Sequence, residues 1–197
     1  MLRKSLLLLL AVVIIGGGLT YYFGFRHEGD EDIVAPAPLQ VSTATDSFSV
    51  SVQHALGDYY QLTEAFVQKD SNAVNLRANS FASSMQQIAM QELKADSQLV
   101  ALAAGIQQGI ATEAAAIAGT SDWTKKYRSL QTISDQFFDM LRTVQYKGGK
   151  VYQQHCPMAF DNTGANWLSQ QSAIRNPYFG DDMLDCGETR DSVDFVQ

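Results

Sequence analysis

Cysteine is scarce in this sequence, and its scarcity excludes several kinds of site. Only Cys156 and Cys186 occur among 197 residues, and neither lies near the N-terminus, so lipoprotein attachment there is excluded. Their separation also does not match the paired C-x-x-C spacing of structural zinc sites. Three states remain for these two residues: one disulfide, two unpaired thiols, or a metal site that includes other soft ligands.

Basic residues are also few. The chain has 14 lysine and arginine residues against 21 aspartate and glutamate residues. Arg3, Lys4 and Arg26 precede every acidic residue, so the remainder carries 11 basic and 21 acidic residues, a net charge of −10. This charge argues against nucleic acid and anionic lipid surfaces as partners of that part. It is compatible with cations, although a diffuse acidic surface usually serves solubility.

The common catalytic motifs are missing as well. The sequence contains no phosphate-binding loop, no G-x-S-x-G and no H-E-x-x-H. His155 and Cys156 are adjacent, but adjacency does not make a nucleophile–base pair, because the fold brings catalytic partners together. His54 lies beside an apolar stripe and is more typical of a packed or surface histidine. We therefore expect no enzymatic activity.

The N-terminus begins with a long apolar run. Residues 6–25 carry no charge, and about 20 apolar residues in a helix match the hydrocarbon thickness of a bilayer. Arg3 and Lys4 precede the run, and four acidic residues follow it within 28–32. By the positive-inside rule, the N-terminus stays in the cytoplasm and the remainder is exported.

This segment is predicted to be a membrane anchor. Tyr21, Tyr22 and Phe23 suit an aromatic belt at the membrane interface and favour a retained anchor over residues 1–26. The small residues GGG at 16–18 leave cleavage as a signal peptide as the alternative.

Residues 48–145 have the apolar spacing of amphipathic helices, with apolar side chains three and four positions apart. Polar stretches at 69–72 and 95–97, and Ser121 or Asp122, supply N-caps, and Gly119 ends the third helix. Short connections between four such helices predict an antiparallel four-helix bundle. The residues expected to be buried are Val52, Leu56, Tyr59, Leu62 and Phe66; Val74, Ala78, Phe81, Met85 and Ile88; Leu99, Leu102, Ile106, Ile110 and Ile117; and Trp123, Tyr127, Leu130, Phe137, Leu141 and Val144.

The chain beyond KGGK at 147–150 has a different character. It is rich in turn formers, including Pro157, Gly164, Asn176, Pro177, Gly180 and Gly187. We expect at most a short strand at 150–154 and one helical turn near 168–174. The predicted fold class is therefore all-α: an antiparallel four-helix bundle with a turn-rich C-terminal segment, preceded by an N-terminal transmembrane helix.

This segment contains a set of candidate metal ligands. Thiolate and thioether sulfurs are soft donors that Cu(I) prefers, whereas zinc binds thioether poorly, so the presence of methionines favours copper. Cysteine and methionine are two positions apart in one half of the set and three apart in the other, so each pair can share one side of its local backbone. The candidate ligands are Cys156, Met158, Met183, Cys186 and His155.

A disulfide between Cys156 and Cys186 is the simpler alternative. Two cysteines in an exported domain commonly pair, and closing a loop of this size stabilises the fold by roughly 3–4 kcal/mol. It would also fasten the turn-rich segment, leaving the methionines and His155 as packing and polar residues. Alternation between the disulfide and the metal site would combine the two states.

Three segments resemble one bacterial domain family of unknown function: DYYQLTEAFVQKDSNAVNLRA, HCPMAFDNTGANWLS and IRNPYFGDDMLDCG. The resemblance covers about residues 48–188. The family occurs free-standing in exported proteins and at the C-terminus of periplasmic adaptor subunits of Cus-type copper and heavy-metal efflux systems. The resemblance thus implies a helical bundle, an exported location and a link to heavy-metal handling. This chain lacks the adaptor's hairpin and barrel domains and has its own anchor instead.

Together these features predict an exported, membrane-anchored domain that binds Cu(I) or a related soft metal, for buffering or for hand-over to efflux. The alternative is a structural or protein-interaction module with a constitutive disulfide and no metal. The expected location is the periplasmic face of the bacterial inner membrane, or the periplasm if the signal is cleaved. Heavy-metal efflux components are the expected partners, and nucleic acid is not. The predicted regions are the signal-anchor at 1–26, a flexible linker at 27–47, the bundle domain with its Cys/Met segment at 48–190, and an acidic tail at 191–197.

Overall fold

Residues 43–44 and 46–195 are described by a computed structural model of the chain. The predicted anchor over residues 1–26 and most of the predicted linker lie outside them. The elements in chain order are β1 (Thr43–Ala44), α1 (Asp46–Val67), α2 (Ser71–Gln86), a 3₁₀ helix (Met90–Glu92), β2 (Leu93–Lys94), α3 (Ser97–Ala118), α4 (Trp123–Thr143), β3 (Val151–Cys156), the short turn α5 (Ala159–Asn162), β4 (Ala165–Ser169), a second 3₁₀ helix (Gly180–Asp182) and β5 (Glu188–Val193).

Aspartate side chains cap three of the four long helices. Asp70 precedes α2, Asp96 precedes α3, and Asp122 precedes α4. Each carboxylate accepts hydrogen bonds from backbone amides of the first turn, at 2.8 to 3.4 Å. A cap of this kind contributes about 1 kcal/mol to stability. The predicted cap positions are confirmed, with Asp122 rather than Ser121 capping the fourth helix.

Consecutive long helices pack against each other and bury their apolar faces. Tyr59, Phe81 and Phe137 meet in the core, with ring centroids 5.6 to 6.0 Å apart. All the apolar residues predicted to be buried in α1 and α2 are buried. The prediction for Leu102 is wrong, because its side chain is 54% exposed and small residues such as Ala103 take the core positions of α3.

By length and composition, α3 also meets the criterion for a membrane span. It has 22 residues and a stretch with mean hydropathy of 1.2, and it is the one such helix in the described part of the chain. It packs against both α2 and α4, and the core helix of a soluble bundle meets the same criterion. This composition is therefore weak evidence for a second membrane segment.

The C-terminal part overturns the all-α prediction. Here β3, β4 and β5 form a three-stranded antiparallel sheet in the order β4-β3-β5, so the fold joins a four-helix bundle to a small sheet. The sequence predicts a helical turn near 168–174, but β4 reaches into this region. The run ANWLS is too short for its periodicity to separate a strand from a helix, and it becomes a strand because it pairs with β3.

A second, minor pairing joins the start of the described chain to the connection between α2 and α3. There β1 pairs with β2, with Thr43 opposite Lys94 and Ala44 opposite Leu93. Among the described residues, the last part of the predicted linker at 27–47 thus contains regular structure, namely β1 and the start of α1.

Two tyrosine hydroxyls cover the outer edge of β4. The Leu168 amide donates to Tyr59 Oη of α1 at 3.0 Å, and Tyr178 Oη donates to the Asn166 carbonyl at 2.6 Å. The opposite edge of the sheet, β5, is exposed and charged over Glu188–Asp191, which discourages pairing with another chain. The sheet is therefore fastened to the bundle along the β4 side.

Candidate functional site

Three of the five predicted ligands bring their sulfur atoms together at one end of the sheet. Cys156 is the last residue of β3, Met158 follows two residues later, and Cys186 lies two residues before β5. Cys156 Sγ lies 3.8 Å from Cys186 Sγ, and Cys186 Sγ lies 3.9 Å from Met158 Sδ. Both cysteines are unpaired thiols. We call these three residues the sulfur cluster.

The sulfur cluster is partly open to solvent. Cys156 is fully buried, Cys186 is half-buried, and the Met158 side chain is 45% exposed. Met158 and Cys186 are therefore the members of the cluster that solvent reaches.

A buried asparagine organises the loop that carries Cys186. The Asn176 side-chain amide donates to the Cys186 carbonyl at 2.8 Å, and the Asn176 backbone amide donates to the Leu184 carbonyl at 2.8 Å. Asn176 Oδ1 accepts from the Tyr178 amide, also at 2.8 Å. Sequence reasoning missed this role, because Asn176 followed by Pro177 signals a turn without revealing the atoms that the turn holds.

Gly187 allows the Cys186 loop to approach β3 closely. Its φ of +145° is a conformation that favours glycine. A Cβ at this position would lie 2.7 Å from the His155 carbonyl oxygen and 3.0 Å from the Trp167 ring. Any other residue here would push the loop away from β3 and thus move Cys186.

The thiol of Cys186 has a perturbed acidity. Burial raises the pKa of this thiol, and hydrogen bonding and charge interaction with the neighbouring Cys156 raise it further. The Cys186 thiol is therefore protonated at neutral pH. A metal that bound the thiolate form of Cys186 would displace this proton, so its affinity would rise with pH.

His155 does not join the sulfurs. Neighbouring strand residues point to opposite faces of the sheet, so His155 points away from Cys156. Its Nδ1 lies 2.7 Å from Asn166 Oδ1, and Asn166 Nδ2 donates to Asp135 Oδ1 of α4 at 2.7 Å. Because the asparagine amide nitrogen faces the carboxylate, its oxygen accepts from the histidine, which places a proton on Nδ1. Gly164 packs against the imidazole, where a Cβ would lie 2.4 Å from Cε1.

Met183, the fifth predicted ligand, lies in the same turn as Cys186. The Cys186 amide donates to the Met183 carbonyl at 3.2 Å. Met183 is half-buried, and no sulfur contact joins it to the cluster in the described part of the chain. Its connection to the site is therefore through the backbone.

Hard metal ligands are not grouped in the described part of the chain. Within residues 43–44 and 46–195, no group of three or more histidine, cysteine, aspartate or glutamate side chains could hold a metal ion. Of the acidic residues near Cys186, Asp182 pairs with Lys69 at 2.5 Å, while Asp181 and Asp185 are exposed. The methionine sulfur is thus what extends the cysteine pair to three donors.

A separate groove of about 730 Å³ lies between α1 and residues 167–175. Its lining mixes apolar and polar side chains and includes Glu64 and Arg175. The Arg175 guanidinium donates two hydrogen bonds to the Glu64 carboxylate, at 2.6 and 2.7 Å. This ion pair ties the segment after β4 to α1 and lowers the pKa of Glu64.

Comparison with known proteins gives one match. Residues 55–149 match the model of a family described as "Protein of unknown function (DUF3347)". The match covers most of the helical part, including the motif at 58–78, and ends before Cys156. No curated protein and no solved structure matches significantly. The helical part of this chain is thus similar to a domain family of unknown function.

Proposed function

We propose that this chain is an exported, membrane-anchored domain that binds a soft metal ion of the Cu(I) type through the sulfur cluster. The observation that carries the proposal is the convergence of Cys156 Sγ, Cys186 Sγ and Met158 Sδ, with contacts of 3.8 and 3.9 Å. His155 and Met183 lie outside this convergence and are given no ligand role.

The Cys156–Cys186 and Cys186–Met158 sulfur separations support the proposal, because each matches the distance between two sulfurs that share one ion. An ion about 2.3 Å from each sulfur, the length of a zinc–thiolate bond, holds its sulfurs about 3.8 Å apart in a tetrahedron and about 4.0 Å apart in a trigonal plane. Two thiols and one thioether are soft donors, which suit Cu(I) better than zinc or calcium.

The proposed role is metal buffering or hand-over to heavy-metal efflux components. The exposed Met158 supports this role, because an ion at the cluster remains reachable from one side. The net negative charge of the part beyond residue 26 would attract cations to that surface. The proposed location is the periplasmic face of the inner membrane, with the N-terminal apolar run as the anchor.

An anaerobic Cu(I) titration against a chromogenic chelator tests the proposal. We expect Cys156→Ser to lower the affinity more than about 100-fold, because it removes a thiolate ligand and should cost more than the 10- to 100-fold typical of losing an outer-shell partner. Met158→Leu should lower the affinity about tenfold, because the thioether that it removes is an uncharged donor. Met183→Leu and Met140→Leu, the latter in the core of α4, serve as controls and should bind like wild type. Wild-type affinity for Met158→Leu would refute the thioether ligand.

The second candidate is a structural or interaction module with a Cys156–Cys186 disulfide and no metal. The same 3.8 Å contact favours it, although the sulfurs must approach to about 2.05 Å to bond. Counting free thiols in protein purified without reductant separates the two candidates. Two thiols per chain at a periplasmic redox potential favour the metal site, and a persistent absence of free thiols favours the disulfide.

A further inference from the structure

The connection between β3 and β4 contains three consecutive residues with left-handed backbone. Phe160 has φ of +51°, Asp161 of +57° and Asn162 of +67°. Aspartate and asparagine tolerate this region, but a bulky residue such as phenylalanine is a genuine outlier there. Surrounding contacts must therefore hold Phe160 in place.

Contacts from two other parts of the chain hold the Phe160 ring. The Tyr178 ring meets it edge-on, with centroids 5.8 Å apart and an interplanar angle of 67°. On α4, the Arg128 guanidinium lies 4.7 Å from the centre of the Phe160 ring. Within the turn, the Phe160 carbonyl accepts from the Thr163 amide at 3.2 Å and from the Thr163 hydroxyl at 2.9 Å.

The Phe160–Tyr178 contact connects the two loops that carry the sulfur cluster. Phe160 lies two residues after Met158. Tyr178 belongs to the loop of Cys186, because Asn176 binds both the Tyr178 amide and the Cys186 carbonyl. Thus the loop bearing the thioether is held against the loop bearing the thiol by side chains that are not themselves sulfur ligands.

We infer that Phe160, held by Tyr178 and Arg128, is a positioning residue that keeps Met158 Sδ beside Cys186 Sγ before a metal arrives. The inference rests on the proposed function. A ligand that is already in place loses less conformational freedom on binding, so the third sulfur adds more to the affinity. The strained left-handed backbone at Phe160 is the conformation in which the Phe160 ring contacts Tyr178 and Arg128.

A double-mutant cycle tests the inference, with Cu(I) affinity measured by chelator competition in four proteins: wild type, Phe160→Ala, Met158→Leu and the double variant. We expect Phe160→Ala to lower the affinity about tenfold in the wild-type background. In the Met158→Leu background the same change should have no effect, because the thioether that Phe160 positions is gone. A purely structural role would lower the affinity equally in both backgrounds and would overturn the inference.

Asn162→Gly is the matched control in the same turn. Glycine adopts φ of +67° without strain and leaves the Phe160 contacts unchanged, so the affinity should equal that of wild type. A loss as large as that of Phe160→Ala would overturn the assignment to Phe160.

Arg128→Gln is the second variant if Phe160→Ala does not fold by circular dichroism. It removes the cation above the ring and keeps the Tyr178 contact. We expect an affinity loss of about threefold that depends on Met158 in the same way. A loss independent of Met158 would overturn the inference.

If wild-type protein itself fails to bind Cu(I), the proposed function is refuted. This result differs from additive effects of Phe160→Ala and Met158→Leu in the double-mutant cycle, which would overturn only the role of Phe160.

Discussion

At the scale of single residues, a polar chain links the sheet to α4. His155 donates to Asn166, which donates to Asp135. The partly buried position of Asp135 disfavours its charged carboxylate. Burial raises the pKa of Asp135, the charge of Asp139 adds to the rise, and the Asn166 hydrogen bond opposes it. The folded state therefore favours the protonated acid more than the unfolded state does.

Asp135→Asn should stabilise the protein at neutral pH. A raised folded-state pKa means that the contribution of Asp135 to stability is fully present below its unfolded pKa of about 3.9 and is lost as pH rises through the folded value. The amide keeps an oxygen that accepts from Asn166 but carries no charge. Urea unfolding of both proteins at pH 4 and pH 7 should show a larger gain at pH 7. Asp194→Asn, an exposed acid, should give no such gain, and an equal gain at both pH values would contradict the assignment.

A buried lysine closes the C-terminal end of α3. Lys126 is fully buried, and its Nζ donates to Asn75 Oδ1 and, at 2.7 Å, to the Ile117 carbonyl. Ile117 lies in the last turn of α3, where carbonyls lack helical partners and a cation is favourable. Burial lowers the pKa of this ammonium.

Lys126→Ala should destabilise the fold by about 2–4 kcal/mol, because it leaves two acceptors without their donor and removes a packed side chain. The neighbouring exposed Lys125 provides the control, and Lys125→Ala should change the unfolding free energy by less than about 0.5 kcal/mol. Both values come from urea denaturation monitored by tryptophan fluorescence. Equal effects of the two substitutions would show that the hydrogen bonds of Lys126 Nζ to Asn75 and Ile117 do not stabilise the fold.

At the scale of elements, a chain of hydroxyl groups holds β4 on the bundle. Ser134 Oγ donates to the Leu130 carbonyl at 2.6 Å, so its one proton is used. The Tyr59 hydroxyl must then donate to Ser134 Oγ at 2.6 Å and accept from the Leu168 amide at 3.0 Å. The edge of β4 thus depends on a side chain from α1.

Tyr59→Phe should cost about 1–3 kcal/mol, because the buried Leu168 amide loses its acceptor. It should also speed hydrogen exchange of that amide, which nuclear magnetic resonance measures directly. The control is Tyr60→Phe, since the Tyr60 hydroxyl has no hydrogen-bond partner among the described residues. Unchanged protection of Leu168 in Tyr59→Phe would mean that the strand edge is held by other contacts.

At the scale of the whole molecule, the proposed Cys156–Cys186 disulfide would give the fold a second covalent state. Oxidation would join the end of β3 to the loop before β5, across a loop that contains all of β4. The chain-entropy model gives about 3–4 kcal/mol of stabilisation for such a loop. In the reduced state, the four helices and the hydrogen bonds to β4 must hold the sheet without this crosslink.

Oxidised wild type should therefore unfold at a higher urea concentration than reduced wild type and should no longer bind Cu(I). Cys186→Ser should behave identically with and without oxidant, since it cannot form the bond. A lower midpoint after oxidation would indicate that closing the 3.8 Å gap strains the native sheet.

The helical part could be predicted because its signals are local. Asp70, Asp96 and Asp122 cap the helices that follow them, and residues three and four apart, such as Leu62 and Phe66, share one buried face. These relations act within one or two turns of the chain. The prediction is less accurate for Leu102, which is exposed, and for Ile106, Trp123 and Tyr127, which are only partly buried, because the side of a helix that faces the core depends on its neighbouring helices.

The sequence by itself determined four helices, three of them with aspartate caps, the acidic charge, and a C-terminal segment that holds both cysteines. Only the tertiary structure decided that this segment forms a sheet and that Met158, rather than His155 or Met183, lies beside the Cys186 thiol. The reason is physical: strand pairing joins residues far apart in the chain, and side-chain direction follows from strand alternation and from a left-handed turn held by Tyr178 and Arg128. Residue spacing alone sets neither the strand pairing nor the side-chain directions.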